Sequence, residues 1–215
     1  MAETLRVGIA GLGTVGAETF RILSERKDIL LSRSGKKIEV VAVSSQDRHM
    51  DRGIDLSGVE WVDDARKLCL MPNVDVVVEL IGGAEGIAKD IAEATVKNNK
   101  YFVTANKALI AHYGDEIGKN AEKNDVSIGF EAAVAGGIPI IKTLREGLGG
   151  NQFTRVYGIL NGTCNYILSE MRETGRDFKD VLTDAQALGY AEADPSFDID
   201  GIDAAHKLSI LASIV

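Results

Sequence analysis

The feature that most limits how this chain folds is a short apolar run, Leu5 to Ala10, which stops directly on Gly11-Leu12-Gly13-Thr14-Val15-Gly16. The run reads as a buried strand. Behind it, Thr14 to Arg26 carries Val15, Phe20, Ile22 and Leu23 at roughly helical spacing. A strand, the pattern G-x-G-x-x-G and a helix in direct succession give the motif its meaning. Gly11 allows a tight turn, Gly13 lets the backbone approach a pyrophosphate, and Gly16 lets the helix pack on the strand. The helix N-terminus offers free N–H groups and the positive end of its dipole to the phosphates. A glycine-rich turn without a ligand is the alternative, and the two correct flanks favour a dinucleotide.

The chain then repeats the same alternation. A polar stretch, Ser32 to Lys37, leads to a strand over Ile38 to Val43. Strands are also expected over Val74 to Ile81, Tyr101 to Thr104 and Val126 to Glu131. Helices fall between them, over Gly86 to Asn98 and from Asn106 onward. Strands alternating with helices predict an α/β fold of the Rossmann type, a doubly wound parallel sheet covered on both faces. Ligands of such sheets lie at the carboxyl ends of the strands. Those ends are Gly11 to Gly16, Ser44-Ser45, Gly82-Gly83 and Thr104 to Lys107. Gly82 therefore counts with the cofactor positions. A cation is unfavourable in the first turn of a helix, so Lys107 is a candidate for function at the cofactor edge. Serines stand where NAD enzymes commonly place an acid, and Arg48 follows closely, which favours NADP over NAD. Asp47 is near enough to supply that acid instead, leaving Arg48 as a solvated loop charge.

Beyond Glu131 the stretch from Ala132 to Pro139 is small and uncharged, which predicts a domain crossing. Residues 1–135 form the nucleotide domain in this reading, and 136–215 begin a substrate domain of α+β type. Pro139 suits the start of a helix over Ile140 to Glu146. Gly147 to Asn151 breaks the chain, Phe153 to Leu160 reads as a strand, and helices follow over Tyr166 to Glu173 and Phe178 to Leu188.

The third of these helices delivers the chain to Gly189–Lys207, GYAEADPSFDIDGIDAAHK. Five carboxylates stand there among aromatic and small apolar residues, and an apolar helix follows. Acidic tails are solvated and lack such anchors. Asp203 and Lys207 are four apart and share a helix face with Ile210 and Ile214. A surface ion pair is the plain reading, but the apolar helix favours an active-site pair. Glu192 and its neighbours suit a substrate ammonium group, with an acidic helix-capping loop as the alternative. His206 points about 100° away from Lys207 and reads as structural.

Composition narrows the classes. A net charge of −8 without a basic cluster argues against nucleic acid. No apolar run approaches the length of a membrane span. The N-terminus lacks the features of a signal peptide, and the two cysteines, Cys69 and Cys164, have no metal or disulfide spacing. A cytoplasmic protein acting on a small molecule is the expectation.

The segments GLGTVG, VTANKAL, FEAAVAGGIPI, LNGTCNYIL and GYAEADPSFDIDGIDAAHK together resemble homoserine dehydrogenase. The likeness runs from Arg6 to the last residue, and its last three motifs are the most specific. It implies reduction of L-aspartate 4-semialdehyde to L-homoserine with NADPH or NADH, in threonine, methionine and isoleucine synthesis. It implies Lys207 as proton donor and acceptor, Lys107 assisting at the reacting oxygen, Glu192 and Asp203 holding substrate, Asp198 shaping the site and Gly189 touching the cofactor. A structural sodium ion would sit at Glu131, Val134, Gly136 and Ile138. A homodimer through the sheet of the second domain is implied as well. Members of the family continue beyond the point where this chain stops, so the chain is expected to carry the nucleotide domain and the first part of the catalytic domain.

Two rival functions remain on the residues alone. Cys164, in a polar turn before a helix, is a candidate nucleophile. With His206 as base it would serve a phosphorylating aldehyde dehydrogenase, though a small buried thiol is the commoner fate of cysteine. The other rival is a dinucleotide-binding module without catalysis.

Overall fold

The computed structural model describes residues 2–215. The chain forms two compact units, Met1–Gly137 and Ile138–Val215. In the first, six parallel strands stand in the order β3-β2-β1-β4-β5-β6. They are β1 (Thr4–Ala10), β2 (Lys37–Ser44), β3 (Glu60–Trp61), β4 (Val76–Glu79), β5 (Tyr101–Thr104) and β6 (Ile128–Gly129). Helices α1 (Thr14–Glu25), α2 (Lys27–Ser34), α3 (Ile87–Lys97) and α4 (Lys107–Lys123) connect them. The strand order reverses beside β1, which pairs with β2 on one side and β4 on the other. That reversal opens a crevice at the carboxyl ends of β1 and β4, the usual ligand position of such sheets.

Period-two alternation explains the two cores. Val76 and Val78 point to one face with Val7, Ile9, Val43 and Phe20 of α1. Val77 points to the other, with Phe102, Ile91 of α3, and Leu109 and Ile117 of α4. The α1 face that meets the sheet is Gly16, Ala17 and Phe20. Val15 and Ile22, expected on that face, are exposed instead. A close strand–helix crossing at Gly16 turns the larger side chains on either side of it outward.

Several expected boundaries move. The polar stretch before β2 contains the end of α2, which has hardly any amphipathic pattern to announce it. β4 is shorter than the β-branched run, because its pairing with β1 and β5 ends at Glu79. The last strand shrinks to two residues, and Glu131 lies in a 3₁₀ turn, Glu131–Ala133.

Every regular element among the described residues of the second unit is a helix or a helical turn. The unit comprises α5 (Ile140–Lys142), which runs on as a π turn over Thr143–Gly147, then α6 (Gly162–Thr174), α7 (Phe178–Ala187), α8 (Ser196–Ile199) and α9 (Ile202–Ala212). Its small core joins Ile167 of α6, Val181 and Ala185 of α7, and Ala191. The strand expected over 153–160 is absent, and Tyr157 and Ile159 there are 85% and 78% exposed. An extended segment becomes a strand only beside another strand, and no described residue of this unit supplies one.

Candidate active site

In the first unit the glycine turn closes the crevice from below. Gly11 has φ of 101°, and a Cβ there would lie 2.6 Å from the carbonyl oxygen of Leu80. A Cβ on Gly16 would overlap the carbonyl oxygen of Gly11. Gly13 differs from both: it caps α1, and a Cβ there would meet no protein atom within 4 Å. No packing demand of the protein explains this glycine, whereas the close approach of a pyrophosphate does. The first turn of α1 has no acidic side chain to oppose such an anion. Thr14 and Val15 open that turn with exposed side chains, while Leu12 is buried in the core. A cleft of about 520 Å³ lies over the turn, walled by Ser44, Ser45 and Gln46 at the end of β2, by Leu80 and Ile81 after β4, and by Asp64 and Arg66. These residues fit a dinucleotide.

Arg48 does not line this cleft. Its neighbour Asp47 accepts the His49 N–H at 2.8 Å in a local turn, and Arg48 is exposed. Arg52 takes the inward position. It donates to the Leu12 carbonyl at 2.9 Å and to Ser45 Oγ at 3.2 Å, and its guanidinium lies 5.6 Å from the Trp61 ring centre. It fastens the loop after β2 to the glycine turn. Arg66, at the wall, is held by Asp64 at 2.9 Å. Chain spacing alone could not tell which arginine of this loop folds back.

β4 ends on Glu79, fully buried. Sequence reasoning passed over it because it ends a β-branched run. Gly82 follows with φ of 90°. Lys107 is the first residue of α4, half-buried, directly after the helix cap Asn106. Of the positions suggested for sodium, Glu131 and Val134 fall at the 3₁₀ turn, and Gly136 and Ile138 are exposed. Among the described residues no group of three acidic, histidine or cysteine side chains could hold a metal ion.

In the second unit the acidic segment folds into a connected cluster. Lys207 and Asp203 stand one turn apart on α9, and Lys207 Nζ donates to Asp203 Oδ2 at 2.7 Å. The same Nζ donates to the Leu160 carbonyl at 2.8 Å. Asp203 is only 2% exposed and near the N-terminus of α9, where the helix dipole favours a carboxylate. Asn161 completes the arrangement. Its Nδ2 donates to Asp203 at 2.8 Å and to Asp198 at 2.7 Å, while its Oδ1 accepts the Cys164 N–H at 2.7 Å and caps α6. The sequence carried a signal for Asn161, an asparagine just before a helix. Its reach across 42 positions to Asp203 had none.

The other residues of the segment make contacts of their own. Asp194 accepts the Ser196 hydroxyl and, at 3.1 Å, the Ser196 N–H, which hold its carboxyl below the usual range. His206 lies edge-on to Phe197, ring centres 5.7 Å apart. Gly189, with φ of 76°, follows Leu188, the C-cap of α7. Glu192 is exposed, and its carbonyl accepts from Gln186 at 3.0 Å. Cys164 makes a poor nucleophile. Burial pushes its thiol up, and the charges of Asp198 and Asp203 push it further. The thiol also donates to the Asp198 carbonyl at 3.2 Å.

Known proteins give this arrangement a context. The family description "Homoserine dehydrogenase, NAD binding domain" matches residues 11–131, and "Homoserine dehydrogenase" matches residues 139–215. A homoserine dehydrogenase of Pseudomonas aeruginosa is 52% identical over 99% of this chain and 48% of its own length. One from Neisseria gonorrhoeae is 50% identical with the same coverage. The crystal structure of a homoserine dehydrogenase from Thiobacillus denitrificans superposes with a TM-score of 0.88 at 48% identity, over 98% of this chain and 48% of that one. A hyperthermophilic archaeal homoserine dehydrogenase, solved in complex with NADPH, superposes with a TM-score of 0.84 at 29% identity, over 98% of this chain and 69% of that one. The chain spans about half the length of the curated relatives it matches. Each family description falls within one of the two compact units, and both lead to one conclusion: the chain belongs to the homoserine dehydrogenase family.

Proposed function

We propose that the chain serves the interconversion of L-homoserine and L-aspartate 4-semialdehyde, with NADP favoured over NAD. The observation that carries this reading is the buried Asn161–Asp203–Lys207 cluster in the segment whose charges needed explaining. A bound nicotinamide nucleotide supplies or accepts the hydride. The chain's own residues handle the proton and the rest of the substrate. Lys207 gives a proton, as an ammonium, to the aldehyde oxygen during reduction and, as the neutral amine, takes one from the hydroxyl during oxidation. Asp203 and the Leu160 carbonyl hold the amine at one place, so little ordering is left for the reaction itself. Glu192, Asp198 and Asp203 present carboxylates to the substrate ammonium. Lys107 is assigned to the reacting oxygen and Gly189 to the cofactor by family resemblance.

The NADP preference rests on Ser44, Ser45 and Gln46 at the end of β2 and on Arg66 in the cleft wall. Sodium is assigned to Glu131, Val134, Gly136 and Ile138 by family resemblance, with carboxylate and carbonyl oxygens the donors a hard cation takes. A homodimer in the cytoplasm, working in threonine, methionine and isoleucine synthesis, completes the reading.

The test is a full-length protein assayed with homoserine and either NADP or NAD. Lys207→Ala should abolish turnover and leave nucleotide binding intact. Turnover at the wild-type rate in that variant would remove Lys207 from the chemistry, and absence of homoserine oxidation in the wild type would remove the reaction. Light scattering of the same protein reads its oligomeric state.

A further inference from the structure

A carboxyl group with no exposed surface stands at the most ligand-directed point of the first unit. Glu79 ends β4, and its two oxygens accept three hydrogen bonds. Oε1 accepts the N–H groups of Ile81 at 2.7 Å and Gly82 at 3.0 Å. Oε2 accepts the hydroxyl of Thr104, at the end of β5, at 2.6 Å. Thr104 Oγ1 in turn accepts the Asn106 N–H at 2.9 Å. Asn106 then divides its amide: Nδ2 donates to the Gly83 carbonyl at 2.6 Å, and Oδ1 caps α4 through the Leu109 N–H at 3.0 Å.

The chain of bonds closes a ring. It leaves the loop after β4 at Ile81 and Gly82, crosses to β5 through Thr104, and returns to the same loop at Gly83. Leu80 and Ile81 of that loop wall the cleft, and the Leu80 carbonyl crowds Gly11. Gly82 and Gly83 both have positive φ, so the loop's backbone alone leaves it many conformations. A buried carboxyl that meets only donors is costly to place and specific once placed. Nothing in the packing of β4 calls for it, since the neighbouring inward positions are valines.

We infer that Glu79 is a positioning residue for the nucleotide: with Thr104 and Asn106 it holds the loop 80–83 in the one shape that accepts the cofactor, and it ties that shape to the start of α4. The inference rests on the nucleotide reading of the cleft. A loop that is competent only part of the time weakens apparent affinity by that fraction.

The experiment titrates the chain with NADPH and NADH by fluorescence, well below its melting temperature. Glu79→Gln keeps the shape but puts an amide NH2 where a carboxyl oxygen stood, so the Thr104 hydroxyl loses its acceptor and must turn to accept instead. Thr104→Val removes the hydroxyl at constant shape, and Thr104→Ser restores it. Glu79→Gln and Thr104→Val should each raise the nucleotide Kd by about tenfold, the order expected for one lost bond to a charged acceptor. Thr104→Ser should bind as the wild type does. If Glu79→Gln fails to fold, the Thr104 pair decides the matter alone. Folded variants that bind with the wild-type Kd overturn the positioning role and leave the nucleotide reading standing. A wild type that binds neither nucleotide overturns that reading, and the positioning role falls with it.

Discussion

Replacing Gly13 with alanine adds one methyl group where the protein has no atom within 4 Å. The backbone there, φ −70° and ψ −164°, is open to alanine without strain. Folding should change little, because the gain of about 0.4–1 kcal/mol from a less free unfolded chain is offset by the poorer capping of α1 by alanine. Binding should suffer. The methyl group takes the space into which a pyrophosphate must come, and overpacking of this kind costs about 1–3 kcal/mol. That corresponds to a nucleotide Kd raised roughly 5- to 150-fold. Gly16→Ala is the control, since its methyl group would overlap the Gly11 carbonyl oxygen and force the backbone apart. Urea unfolding and NADPH fluorescence titration, run on both variants, separate the two effects. Gly13→Ala should unfold close to the wild-type midpoint and bind poorly, whereas Gly16→Ala should lose stability and binding together. A Gly13→Ala protein that binds with the wild-type Kd, or that unfolds as early as Gly16→Ala, refutes the reasoning.

Asn161→Ala should cost roughly 2–4 kcal/mol in urea unfolding, the sum of a lost helix cap and of a buried carboxylate losing a donor. Asn161→Ser retains the cap oxygen and should recover about 1 kcal/mol; equal midpoints for the two variants would dismiss the capping share. The hydrogen bond from Arg6 holds the Asp75 carboxyl below its usual range. A depressed folded pKa adds stability above the unfolded value, near 3.9, and loses it as pH falls through the folded one. Asp75→Asn should thus flatten the acid limb below about pH 4, and an unchanged acid limb in thermal melts would argue against the pair. Cys164, with its thiol pushed up by burial, should react slowly with iodoacetamide at neutral pH. Alkylation as fast as that of a free thiol would revive it as a nucleophile.

Periodicity and glycine spacing made most of the first unit legible. The run into Gly11, the β-branched stretch into Gly82 and the TANK turn each marked a strand end, and all three lie on one edge of the sheet. Where legibility failed, long-range pairing was the cause. The stretch 153–160 has the composition of a strand but lacks a neighbour to pair with among the described residues of its unit. Arg48 and Arg52 are indistinguishable by spacing, and a local turn at Asp47 sends one outward and leaves the other to reach Leu12. Glu79 looked like the end of a hydrophobic run, because its partners lie on another strand and in a loop.

By itself the amino-acid sequence determined the alternation of strands and helices, the nucleotide turn and the i, i+4 pairing of Asp203 with Lys207, since each depends on residues within a turn or two of one another. Only the tertiary structure decided which polar groups share a proton or a charge. Asn161 joins Asp198 and Asp203, Leu160 receives Lys207, and Glu79 finds Thr104. Those bonds act over about 3 Å between residues far apart in the chain, and a buried polar group is tolerated only where folding has already brought its partner.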